Sequence, residues 1–150
     1  MATSYELDEI EFIVDGPPHG KGRPRFARRG QYVTTYTDKR TVEYEKHVSW
    51  CAMEAMGIRH QIWTGPITVD ITFVVRRPKS KCRKKDPDER IPCMTKPDID
   101  NAIKAILDGM SSIVYTDDKN VIRVSASKWY GEKEEAPHTL GKVRVEGRRT

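Results

Sequence analysis

Apolar positions along this chain change period several times, from two to about 3.6 residues and back. Ile10-Glu11-Phe12-Ile13-Val14 reads as a first strand and is stopped by Gly16-Pro17-Pro18. Tyr36-Thr37-Asp38 offers a helix start, and Val42, Tyr44, Val48, Ala52, Met53 and Met56 continue as an amphipathic helix to the glycine stop at Gly57. Gly65-Pro66 opens a second strand, Ile67 to Val75, in which apolar and polar residues alternate. Ile103, Ile106, Leu107 and Met110 mark a short second helix, with Ala102 and Ala105 keeping its propensity high. A third strand follows over Val121 to Tyr130 and a fourth over Gly141 to Glu146. This order predicts an α+β fold: one small domain over 1–150, a mixed β-sheet of about four strands, and two main helices packed on it. No internal repeat or second domain interrupts the pattern, and the tail 147–150 is expected to be frayed.

Two stretches, about 16–34 and 76–95, carry no periodicity and are expected to be loops. Both are basic. The first holds Lys21, Arg23, Arg25, Arg28 and Arg29 among glycines, and it lacks the spacing and the Gly-Lys-Ser/Thr ending of a Walker loop. The second places seven cations within Arg76–Lys85, which cannot form a core and is expected to stay solvated or mobile. Over the whole chain the formal net charge is +5, with 33% charged and 37% hydrophobic residues. That balance favours a polyanionic partner without distinguishing a nucleic-acid binder from a merely basic protein.

Other classes become less attractive. Cys51, Cys82 and Cys93 are odd in number and irregularly spaced, which argues against a zinc site or a disulfide framework and fits a reducing cytosol. The amino terminus lacks the basic start and apolar core of a secretion signal, and no apolar run approaches membrane-spanning length. We therefore expect a cytoplasmic protein with no membrane partner. No nucleotide fingerprint suggests a small-molecule enzyme.

Within this basic chain, Asp98, Asp100, Asp117 and Asp118 flank the short second helix. Pro97 cannot lie inside the helix and biases Lys96 toward extended geometry, so the helix begins after it. Asp98, Asp100 and Asn101 all qualify as cap or first-turn residues, and the pattern leaves the cap open. Asp98 and Asp100 can share a site only if the first precedes the helix proper. Lys104 lies on the face of Asp100, four residues on. A hairpin-like return through Ile113, Val114 and Tyr115 is expected to carry Asp117-Asp118 back toward them. Physical reading alone supports two outcomes: acids that cap a helix and shape a surface turn, or acids that hold a hard divalent cation.

The run Lys-Pro-Asp-Ile-Asp-Asn-Ala-Ile-Lys-Ala-Ile-Leu-Asp from Lys96, followed by Tyr115-Thr116-Asp117-Asp118-Lys119, resembles the signature of the RusA family of Holliday junction resolvases. Gly20-Lys21-Gly22-Arg23-Pro24-Arg25-Phe26 and Thr41-Val42-Glu43-Tyr44-Glu45 are similar to the family's amino-terminal half, so the likeness covers most of the chain. The resemblance implies a RusA-like fold, with Asp98, Asp100 and Asp118 as metal ligands, Asp117 as their neighbour and Lys104 as the catalytic lysine. It implies Mg²⁺, for which oxygen-loving Mn²⁺ is expected to substitute. It also tips the first basic loop toward DNA, while the second, which leads directly into the carboxylate motif, is expected to be a hinged arm on the DNA backbone. The contacting cations expected are Lys21, Arg23, Arg25, Arg76, Arg77, Lys79, Lys81 and Lys96. The partners implied are branched DNA, four-way junctions above all, and a second copy of the chain in a homodimer. The implied source is bacterial, or phage or prophage. The expected activity is an Mg²⁺-dependent structure-specific endodeoxyribonuclease of DNA recombination and repair. Its rivals are a non-enzymatic DNA-binding protein and a nuclease for other branched or single-stranded nucleic acid. Ser111-Ser112 departs from the family, whose relatives more often turn there with Asn or Gly.

Overall fold

The computed structural model of the chain describes residues 8–22, 25–57 and 61–146. The segment 147–150, expected to fray, lies outside them. Strand β1, Glu9–Asp15, buries Ile10, Phe12 and Val14 and exposes the residues between, as its alternation requires. Helix α1, Lys39–Met56, buries Thr41, Val48, Ala52 and Met56. Strand β4, Ile67–Val75, is followed by β5, Ile91–Pro92, and helix α2, Ile99–Met110. Strands β6, Val121–Tyr130, and β7, His138–Val145, complete a five-stranded sheet of order β1-β7-β4-β6-β5. Only β4 and β6 pair in parallel, and the crossover between them contains α2.

The expected α+β class therefore holds, with one strand more than anticipated in the sheet. The added strand, β5, is only two residues long and pairs with the end of β6. The core joins β1, β4 and β7 to the two helices through Phe12, Phe73, Val143, Val48, Ile106 and Met110. The helices approach closely at Gly109, where an added Cβ would lie 2.7 Å from the Val48 side chain. Ser49 Oγ donates to the Gly109 carbonyl at the same crossing.

One expectation about loops needs correction and another holds with one exception. The stretch 16–34 is not loop throughout: Arg25–Arg29 and Tyr32–Tyr36 form an antiparallel hairpin, β2 and β3, separate from the main sheet. Gly30, at φ 62°, provides the turn. Phe26, Tyr32, Val33 and Tyr36 are all exposed, so no buried face imposed the alternation by which strands are recognised. The stretch Arg76–Lys85, expected to stay solvated or mobile, is largely exposed but is tied down through one residue. Arg77 is only 4% exposed, and its guanidinium donates to the carbonyls of Lys81, Pro87, Glu89 and Gly131.

Candidate active site

Asp98 is the N-cap of α2, in extended backbone at φ −62° and ψ 141°, and Asp100 sits in the first helical turn. Asp98 thus precedes the helix, as a shared site with Asp100 demands. The Lys128 ammonium donates to the carbonyls of Thr95 and Pro97 and fastens the approach to the helix. Both acids are exposed.

The return from α2 is not a hairpin. Ser111 and Trp63 each form an isolated bridge with Tyr115, and Tyr115 is fully buried. Its hydroxyl donates to the Leu107 carbonyl at 2.7 Å. Burial pushes this phenol far above its ordinary pKa, so it stays a donor. The Asn120 amide donates to the Thr64 carbonyl at 2.8 Å, anchoring the 3₁₀ turn Asp118–Asn120. Asp117 caps that turn by accepting from the Lys119 N–H, which is the structural role open to it from sequence.

This anchoring brings Asp118 to Lys104. The Lys104 ammonium lies 3.3 Å from Asp118 Oδ2 and 3.0 Å from Asp108 Oδ1. The other Asp108 oxygen lies 2.6 Å from the Lys21 ammonium, which also meets Glu45 at 2.8 Å. Burial by itself would raise the Asp108 carboxyl, but the hydrogen bonds from Lys21 and Lys104 outweigh it and hold the acid below its ordinary range. Asp118 goes the other way, raised by desolvation and by the facing Asp108. The Asp108 bond holds Lys104 above its ordinary value, so the ammonium is charged at neutral pH.

The three expected ligands do not gather within one chain. Among the described residues no group of three His, Cys, Asp or Glu side chains could hold a metal ion. The physical reason is the helix: at about 1.5 Å of rise per residue, Asp98 starts about 15 Å from Asp108, and it is Asp108 that meets Asp118. The local chemistry at Asp118 nevertheless fits a hard cation. Its Oδ1 is buried without a hydrogen-bond partner, beside a second carboxylate. A desolvated, unsatisfied carboxylate oxygen is the donor that Mg²⁺ takes.

Sequence reasoning gave Asp108 no role. Its signal was there, since it lies four residues after Lys104 and eight after Asp100 on one helical stripe. Glu45 had no such signal. The DNA-contact set also divides. Arg76, Lys79, Lys81 and Lys96 are exposed. Arg77, expected to contact DNA, is buried on backbone carbonyls and is corrected to an anchor of its loop. Lys21 is held in the acidic network. Arg23 lies outside the described residues, and Arg25 opens β2.

Fold and site together define a small basic α+β domain with a lysine–carboxylate network along one helix. The chain belongs to the RusA endodeoxyribonuclease family: the family model described as "Endodeoxyribonuclease RusA" matches residues 15–138, from the end of β1 to the start of β7. It is also similar to the Bacillus subtilis (strain 168) protein described as "Uncharacterized protein YqaN". The two are 30% identical over 132 residues, covering 85% of this chain and 92% of that protein. Among the described residues no helix is long and apolar enough to cross a membrane.

Proposed function

We propose that this protein is an Mg²⁺-dependent endonuclease that cuts four-way DNA junctions by paired phosphodiester hydrolysis, serving recombination and repair. One observation carries the reading. Lys104 and Asp118, chosen from sequence as catalytic partners, lie 3.3 Å apart, while the second Asp118 oxygen is buried without a partner. Family membership and the net charge of +5 support DNA as the substrate.

Asp98, Asp100 and Asp118 would hold the ion through oxygen ligands, with Asp117 adjacent. Bound there, the metal supplies charge neutralisation at the phosphate and a lowered pKa for the attacking water. The chain's own residues do the rest. Lys104 places its ammonium against negative charge developing on the phosphate, and Asp108 sets the direction of that ammonium. Exposed Arg76, Lys79 and Lys81 hold the strand by its backbone, without reading sequence. A twofold homodimer offers two sites for paired cuts. It also offers a route by which acids that one chain keeps apart complete a site between two chains.

The test uses labelled four-way junctions with Mg²⁺, with Mn²⁺ and with EDTA. Asp100→Asn and Asp118→Asn should each abolish cleavage while junction binding persists. Mixing the two variants should restore part of the activity if sites are shared between subunits. Binding without cleavage under every divalent ion would leave a DNA-binding protein whose acids only cap a helix. Cleavage confined to flaps, single strands or RNA would leave the chemistry and move the substrate.

A further inference from the structure

Asp98 lines the rim of a cleft of about 610 Å³ that Lys104, Asp108 and Asp118 do not reach. Three segments enclose it: the connection after β1 through His19 and Gly20, the start of α1 through Arg40, and the approach to α2 through Lys96, Pro97 and Asn101. Its volume falls in the range of roughly 300–1,000 Å³ that takes a small ligand such as one nucleotide, and is too small for a duplex.

The walls are held in place. At Gly20 an added Cβ would lie 2.9 Å from the Pro97 Cβ, so the two segments touch. The Lys21 N–H donates to the Asn101 carbonyl at 3.0 Å. His19 Nε2 is 2.9 Å from Thr41 Oγ1, and its ring sits 5.4 Å from that of Tyr44. A ligand would therefore meet a formed site, at little ordering cost.

The charge is that of an anion site. Arg40 and Lys96 are exposed and, among the described residues, enter no ion pair, whereas Lys21, Lys104 and Arg90 are all paired. Arg40 and Asn101 lie in the first turns of α1 and α2, and neither helix start carries a side-chain cap. Both positive helix ends thus open beside the same two cations. The α2 end also carries two acids, Asp98 at the rim and Asp100 in the first turn, both proposed metal ligands.

We infer that this cleft is a strand subsite that takes a single deoxynucleotide of the bound DNA strand, at the Asp98 end of α2. Arg40 and Lys96 hold its phosphate, and the His19 ring lies along its sugar and base. The inference rests on the endonuclease reading and adds to it a site away from Lys104, Asp108 and Asp118, with Asp98 at its rim. It names Arg40 and His19 as binding residues.

The experiment walks one neutral methylphosphonate along each strand of a four-way junction through the crossover, using wild type and Arg40→Ala in EDTA. Wild type should lose about tenfold in affinity at one position near the crossover, as expected for a charge-assisted contact. Arg40→Ala should lose about tenfold on the unmodified junction, keep its melting temperature, and be indifferent to the substitution at that position. Its slope of log K against log salt should fall by about 1. Equal losses in the two proteins at every position overturn the subsite while leaving the nuclease reading intact. Failure of wild type to bind or cut any branched DNA overturns the nuclease reading, and the subsite with it. Thymidine monophosphate binding below 1 μM on the order of tight small ligands, with junction binding indifferent to Arg40, overturns it in favour of a free-nucleotide pocket.

Discussion

The Lys21 ammonium lies 2.6 Å from the Asp108 carboxylate, across 87 positions of sequence. This contact fixes the loop after β1 to the stripe of α2 that carries Lys104. Asp108 bridges the two lysines, and it is the residue through which the amino-terminal basic segment and the proposed catalytic lysine are held together.

Replacing Asp108 tests that bridge. In Asp108→Asn the Lys104 ammonium loses its nearest partner and its direction, so cleavage should fall about 10- to 100-fold. Junction affinity should change by less than about twofold, because no phosphate contact is removed. Since Lys104 is half-exposed, the stability cost is about 1–2 kcal/mol. Asp108→Glu should recover part of the rate. A cleavage rate that follows melting temperature across both variants would reduce Asp108 to a structural residue.

Arg77 anchors the loop that follows β4. Arg77→Ala leaves several carbonyls without their donor and opens space in a buried site, a loss of about 3 kcal/mol. Arg77→Lys should recover little, because an ammonium cannot reproduce the guanidinium fork. Limited trypsin digestion should become faster within residues 79–90 in both variants. Unchanged melting and digestion in Arg77→Ala would show that the loop is held by other contacts.

Acid stability depends in part on Glu135, which accepts from Arg90 at 2.6 Å. That bond brings the Glu135 carboxyl down to about 2 from an ordinary 4.5. The acid is charged in both folded and unfolded chains above pH 4.5, where its stabilisation is fully present, and it is lost as pH falls toward about 2. Arg90 is 37% exposed, and solvent screening leaves about 1 kcal/mol. Urea unfolding at pH 6 and pH 3 should therefore show a smaller difference for Glu135→Gln than for wild type, by about that amount.

Ser112 adopts φ 69°, the left-handed region, just after α2. A side chain there costs about 1 kcal/mol, which glycine avoids. Ser112→Gly should raise stability by up to about 1 kcal/mol in thermal unfolding and leave cleavage unchanged. Ser112 is thus a local strain in the turn that delivers Asp118. A drop in stability would mean that the Ser112 side chain makes up for its backbone.

Several elements were legible because one buried face imposes a period. Ile67–Val75 matches the strand expected, and α1 and α2 end where Gly57 and Ser111 end them; Val121–Tyr130 also matches, although its burial does not alternate. The β2–β3 hairpin was not legible, because with both faces in solvent its residues had no period to show. The Lys104–Asp118 contact could be expected from motif order. The neighbouring Asp108 was overlooked although its helical spacing was visible.

The sequence by itself determined the longer strands of the main sheet and both helices, and that the chain is basic, since burial period and residue type are local properties. Only the tertiary structure decided the partners. Lys21 meets Asp108 and Glu45, Arg77 turns inward onto carbonyls, and Asp118 settles at the far end of α2 from Asp98. Those choices follow from the crossover between parallel strands, which sends the chain along the full length of a rigid helix and so separates residues that a motif lists side by side.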